Sequence, residues 1–101
     1  MKKNNFSNKV LDIVKKIPKG KVTTYKLIAD KLSSKAYRLV GSVLRKNPTP
    51  IIIPCHRVVM SSLRVGGYLG HKKSNVKLSL LKKEGIFILK GKVLQKYLWK
   101  P

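Results

Sequence analysis

The stretch from Thr24 to Pro48, TYKLIADKLSSKAYRLVGSVLRKNP, decides the fold. Tyr25 to Leu32 predicts a short helix. Thr24 before it is of the residue type that caps a helix by accepting a backbone N–H bond. Ser33 and Ser34 make a short break, and Lys35 to Lys46 predicts a second helix closed by Asn47-Pro48. Two short helices across a tight turn, the second one basic, form the helix-turn-helix pattern. On the second helix Ala36, Val40 and Val43 fall on one side. Lys35, Arg38, Ser42 and Arg45 fall on the other, with Gly41 beside them. Glycine weakens a helix interior by ~1 kcal/mol relative to alanine. Gly41 and Ser42 remove bulk from the middle of the basic face, which suits close approach to a phosphate chain or a groove. A solvated basic face, with Gly41 packed against a neighbour, is the alternative.

Working outward, Phe6, Val10, Leu11, Val14 and Ile17 follow helical spacing and predict a first amphipathic helix over 5–17. Pro18-Lys-Gly20 stops it, and Val22-Thr-Thr24 leads into the central pair. After Pro48, Ile51 to Ile53 predicts a short buried strand or extended segment. Val58-Val59 and Tyr68-Leu69 flank a loop from Ser61 to Gly67 and are expected to pair as a hairpin. Ser74 or Asn75 caps a helix to about Glu84, with Val76, Leu80 and Leu81 inward and Gly85 as its stop. Ile86 to Leu89, Gly91 and Val93-Leu94 predict a terminal hairpin with an apolar tail through Leu98 and Trp99. The expected fold is mainly α: a small winged helix-turn-helix-like domain with short β-hairpins, one domain over 1–101.

The charge is extreme. Twenty-four Lys and Arg stand against three Asp and Glu, a formal charge of +21 over 101 residues. The lysines are spread along the chain, and 43% of residues are hydrophobic, so a folded core with a charged surface is expected rather than a basic tail. A polyanion is the expected partner, nucleic acid first, with an anionic membrane surface or plain solvation as alternatives. No apolar run approaches ~20 residues, so no membrane span is expected. One cysteine and two histidines make neither an intramolecular disulfide nor a credible zinc site. A free thiol and the absence of an apolar leader in MKKNNFSNKV point to a reducing, cytoplasmic compartment.

That thiol, Cys55, sits in Ile51-Ile-Ile-Pro-Cys-His-Arg-Val-Val59. In a regular strand Cys55 and His56 would point to opposite faces. Pro54 argues that the strand ends at Ile53. A turn there brings thiol and imidazole toward a shared space, where His56 takes the thiol proton directly or through one water. A strongly positive surround lowers a thiol pKa. Among Asp12, Asp30 and Glu84, Glu84 is the best placed to orient His56. The plainer alternatives are a small buried hydrophobe at Cys55, a satisfied core histidine at His56 and an ordinary salt bridge at Glu84.

Pro54-Cys-His-Arg-Val58 resembles the active-site signature of the O6-alkylguanine-DNA alkyltransferases, the methylated-DNA–protein-cysteine methyltransferases. Ile17-Pro-Lys-Gly-Lys-Val-Thr-Thr-Tyr25 is similar to the family's IPxGxxxxY segment. Tyr37-Arg-Leu-Val-Gly41 through Arg45-Lys-Asn-Pro48 is similar to its RxVGxxxxxNP segment. Gly66-Gly-Tyr68 and Leu80-Leu-Lys-Lys-Glu-Gly85 follow in order. The resemblance implies that Cys55 accepts the alkyl group, His56 is its base through a water, and Glu84 orients His56. It implies that Arg38 is a finger holding the space of the extruded nucleotide, and that Asn47 braces the turn carrying the cysteine. Tyr25 would lie near the flipped guanine, Tyr68 and Pro54 would line the pocket, and the helix with Lys35, Gly41, Ser42 and Arg45 would enter the minor groove. The implied activity is a single, stoichiometric transfer from duplex DNA containing O6-alkylguanine, by a monomer without cofactor or metal. Family members usually carry a further N-terminal domain, which is expected to be absent here. A non-catalytic alkyltransferase-like protein, which typically has tryptophan at the position of Cys55 and recruits other repair factors, is the alternative the resemblance brings.

Overall fold

The computed structural model describes residues 6–47, 52–66 and 75–101. Helix α1 (Phe6–Lys15) buries Val10, Ile13 and Val14 along one stripe. It ends two residues before the expected Ile17, where tightened turns donate Lys16 N to the Ile13 carbonyl and Ile17 N to that of Val14. Strand β1 (Thr23–Thr24) runs directly into α2 (Tyr25–Lys31), and the Thr24 side chain accepts from Leu27 N at 3.0 Å, as the sequence predicts. Ser33 then takes the left-handed conformation at φ 54°, with Ser34 N bonded back to the Ala29 carbonyl.

Helix α3 (Tyr37–Arg45) starts two residues later than expected, so Lys35 lies in the connection. The Ser34 hydroxyl accepts from Ala36 N at 2.9 Å, a local bond that competes with an earlier helix start. Val40 and Leu44 are its buried anchors, packed with α1 and α2.

Strand β2 (Val58–Val59) pairs with β1 in parallel, Thr23 opposite Val58 and Thr24 opposite Val59, while its expected hairpin partner Tyr68-Leu69 lies outside the described residues. Successive strand residues face opposite ways. Val58 therefore enters a core built by Val10, Val14, Ile28, Val40 and Leu44, while Val59 enters a second core with Val22, Val65, Leu81, Ile86 and Val93. The two-strand ladder is the partition between them.

Helix α4 (Asn75–Lys83) also departs from expectation at one position. Val76 is exposed, and Lys77 points inward with Leu81. Positions four apart share a helix face, so the stripe containing Leu81 passes through 77 rather than 76. Ser74 lies outside the described residues. At the other end Ile86 N bonds the Leu81 carbonyl and Gly85 N that of Lys82, a Schellman closure with Gly85 at φ +84°. This closure holds Glu84 at the helix end.

The terminal hairpin is present, β3 (Ile88–Leu89) against β4 (Lys92–Val93). The tail returns along β1, with Trp99 N donating to the Val22 carbonyl at 2.7 Å. The architecture is mainly α, a winged helix-turn-helix with a small hairpin. Among the described residues no helix is long and apolar enough to cross a membrane.

Candidate active site and nucleic-acid interface

Pro54 builds the site from the backbone up. Its φ of −78° and ψ of 66° form an inverse γ-turn, with Cys55 N bonded to the Ile53 carbonyl at 2.7 Å. The chain continues into a single 3₁₀ turn, Cys55–Arg57, closed by Arg57 N on the Pro54 carbonyl. Three residues per turn replace the strand's alternation, so Cys55 and His56 do not point to opposite faces. Asn47, just past α3, donates its Nδ2 to the same Ile53 carbonyl at 2.8 Å. It ties the end of the basic helix to the base of the cysteine turn.

His56 is fully buried, and its Nε2 lies 2.9 Å from Glu84 Oε2. A carboxylate only accepts, so Nε2 carries the proton and Nδ1 is left as the acceptor of a neutral ring. Burial holds the imidazole below its ordinary pKa despite the Glu84 hydrogen bond and charge, which keeps it neutral near pH 7. Nδ1 has no hydrogen-bond partner among the described residues. Glu84 is itself held below the usual carboxylate range. Burial pushes it up, but hydrogen bonds from Arg57 and His56 outweigh that.

Cys55 is buried, and here the structure corrects the expectation of a lowered thiol pKa. Burial raises it, and the Asn47 hydrogen bond and the Lys77 charge only partly offset this. The resting sulfur is a thiol that needs a base.

Two further residues join this cluster. Lys77 is 1% exposed, donates its Nζ to the Val58 carbonyl at 2.7 Å, and lies 6.0 Å from the Tyr25 ring centroid. Burial lowers its pKa to about 8, while the Cys55 charge acts to raise it. Its signal was the four-residue spacing to Leu81, which apolar Val76 obscured. Arg57 is the second, within Pro54-Cys-His-Arg-Val58. It clamps Glu84 through Nε at 2.9 Å and Nη2 at 2.7 Å and reaches the Ile17 carbonyl through Nη1 at 2.8 Å.

Tyr25 opens α2 and faces this cluster. Burial raises its phenol pKa, the Cys55 charge adds to that, and Arg45 opposes it. The ring sits 3.9 Å from where a Cβ on Gly41 would stand. Tyr25, Gly41, Cys55, Asn47, His56, Glu84 and Lys77 thus form one connected group, with Pro54 buried in its turn. Arg38 and Arg45 lie exposed on α3, with Ser42 half-buried. Lys35 is exposed before the helix, and Tyr68 lies outside the described residues.

The model of the DNA-binding domain of 6-O-methylguanine DNA methyltransferase matches residues 5–86. The chain belongs to the O6-methylguanine-DNA methyltransferase family. A methylated-DNA–protein-cysteine methyltransferase of Pyrobaculum aerophilum is 51% identical over 69 residues, which cover 68% of this chain and 45% of that protein. The chain spans less than half the length of the first curated relatives it matches. Among solved structures, S. pombe Atl1 in complex with damaged DNA containing O6-carboxymethylguanine is similar at a TM-score of 0.83 and 30% identity, each chain covered in full. Mycobacterium tuberculosis OGT in complex with DNA is similar at 0.73 and 37% identity, covering 82% of this chain and 51% of that one.

Proposed function

We propose that this protein binds duplex DNA through α3 and transfers an alkyl group from O6 of an extruded guanine to Cys55, once per molecule. The observation that carries the reading is the Pro54–Arg57 turn, with a buried thiol next to a neutral histidine whose Nε2 is held by Glu84. His56 Nδ1 takes the thiol proton through one water. The sulfur then forms a bond to the alkyl carbon as that carbon's bond to O6 breaks. Guanine leaves with the electron pair and takes up a proton, for which Tyr25 is the donor at hand. The product is a thioether, stable to water. The chain has no second cysteine to receive the group, so each molecule is consumed.

An alkyl group within a base stack is out of reach, so the nucleotide must be extruded. Arg38 fills the space it leaves. Contacts from Lys and Arg to phosphate supply affinity without reading sequence, which suits a search over all DNA. A monomer in the cytoplasm is sufficient for this chemistry.

Full mutual coverage with Atl1 favours a second reading, a non-catalytic protein that binds alkylated DNA and recruits other factors. Intact-mass measurement after incubation with a duplex containing O6-methylguanine separates them. Transfer adds one methyl, on the peptide holding Cys55, and Cys55→Ala abolishes it. A Cys55→Ala protein that still gains the methyl refutes the assignment, and no gain in the parent chain favours the binding protein.

A further inference from the structure

Helix α3 exposes two large apolar side chains that neither phosphate binding nor the core requires. Tyr37 and Leu39 are each 49% exposed. Arg38 stands between them, also exposed. At ~100° per residue, Arg38 points about 160° away from the buried Val40, directly outward, with Tyr37 on one flank and Leu39 on the other. Gly41, Ser42 and Arg45 fall within the same outward sector. No residue of α3 is acidic. Of the three described Asp and Glu side chains, Asp30 is paired with Lys26, Glu84 with Arg57, and Asp12 lies on α1. Isolated exposed apolar residues are ordinary on a protein surface. Two that bracket an outward cation on an acid-free helix present a composite surface. Its charge suits a polyanion, and its apolar faces suit flat, stackable groups.

We propose that Tyr37 and Leu39, about 100° to either side of Arg38 on the helix, are the two apolar flanks of a wedge whose tip is Arg38 and which opens the base stack of duplex DNA. The occupant that combines dense negative charge with stacked apolar faces is the duplex itself. Apolar side chains inserted between base steps unstack them and open the duplex, and the bent form gains protein contact. Small Gly41 and Ser42, in the same sector, let the helix come close enough for short side chains to reach. The proposal rests on α3 being the DNA-facing helix. It extends the proposed function by dividing the opening of the stack among three residues instead of assigning it to Arg38 alone.

The test uses the full chain and a duplex carrying 2-aminopurine beside O6-methylguanine. The parent raises 2-aminopurine fluorescence on binding. The Tyr37→Ala/Leu39→Ala pair loses most of that rise, and its ratio of transfer rate on duplex to rate with free O6-benzylguanine falls roughly tenfold. The slope of log affinity against log salt stays as in the parent, because neither side chain displaces a counterion. The Tyr37→Phe/Leu39→Met pair keeps apolar bulk and behaves as the parent. A full fluorescence rise and unchanged ratio in the alanine pair overturn the wedge, as does equal loss in the conservative pair. Should Cys55 take no alkyl group from the free base, the transfer reading fails while fluorescence still decides the wedge.

Discussion

Arg57 grips Glu84 with both oxygens engaged, Nε to Oε1 at 2.9 Å and Nη2 to Oε2 at 2.7 Å. The second of these oxygens is the one that meets His56 Nε2. A guanidinium fork matches a carboxylate in its plane, so the pair fixes the orientation of Glu84 as well as its charge. The Schellman closure of α4 fixes its backbone, and the Ile17 carbonyl fixes the arginine. The histidine's tautomer therefore depends on an arginine one residue away in sequence, itself anchored to the end of α4 and to the carbonyl of Ile17 just past α1.

Removing the carboxylate separates two effects. Glu84→Gln lowers methyl transfer about 10²-fold or more through lost control of the base. Glu84→Ala also leaves Arg57 without its partner and costs about 3 kcal/mol. The Glu84 carboxyl is held down in the folded state, so its contribution is present above the ordinary 4.5 and is lost as pH falls through the folded value. His56, also held down, weakens the fold as pH falls below 6.5. Urea melts over pH should show the limb below 4.5 flattened in Glu84→Gln while the limb near 6 remains. An unaltered lower limb rules out a stabilising charged pair.

Lys77 carries a cost that should be measurable. With its pKa lowered from 10.5 to about 8, its burial opposes folding by roughly 3 kcal/mol below pH 8 and is relieved as pH rises from 8 toward 10.5. The Lys77→Met variant lacks that rise in stability. Below pH 8 the charged ammonium favours the Cys55 thiolate, so its loss lowers the thiolate fraction there. Iodoacetamide reaction at Cys55 should shift to higher pH in the variant. A profile unmoved from the parent's would show that Lys77 serves packing alone.

Gly41 is not demanded by the fold. A Cβ there meets the Tyr25 ring at 3.9 Å, an ordinary contact. Gly41→Ala should therefore stabilise the protein by ~1 kcal/mol, a gain of several degrees in Tm. It should weaken duplex binding if the helix seats closely on DNA. A variant both more stable and fully competent on duplex would leave glycine there without a functional reason.

Arg38 and the overall charge make separable contributions. Arg38→Ala should slow transfer from duplex more than from free O6-benzylguanine, and equal losses would count against a role in the stack. Duplex affinity should fall steeply between 50 and 200 mM salt, on the order of 10³-fold if about six phosphates are engaged. Binding that holds constant across that range would reject a phosphate-dominated interface.

Much of this was legible from residues alone where the cause is local. A threonine that caps α2, a proline that ends a strand and bends it into a turn, and a glycine that closes α4 act within a few bonds of themselves. The basic face of α3 and the cysteine turn followed from such signals. The start of α3 was displaced by a serine hydroxyl bond that competes with helix, a choice too finely balanced for periodicity to settle.

What the chain's order determined by itself is a set of turns, caps and amphipathic stripes, because these depend on neighbours three or four residues away. Only the tertiary structure decided that Val58-Val59 pairs with Thr23-Thr24 and divides two cores, that Lys77 is buried beneath Tyr25, and that burial lifts rather than lowers the Cys55 pKa. Each of these is a balance of desolvation against charge, or of one distant pairing against another. Such balances exist only once residues far apart in the chain have been brought together.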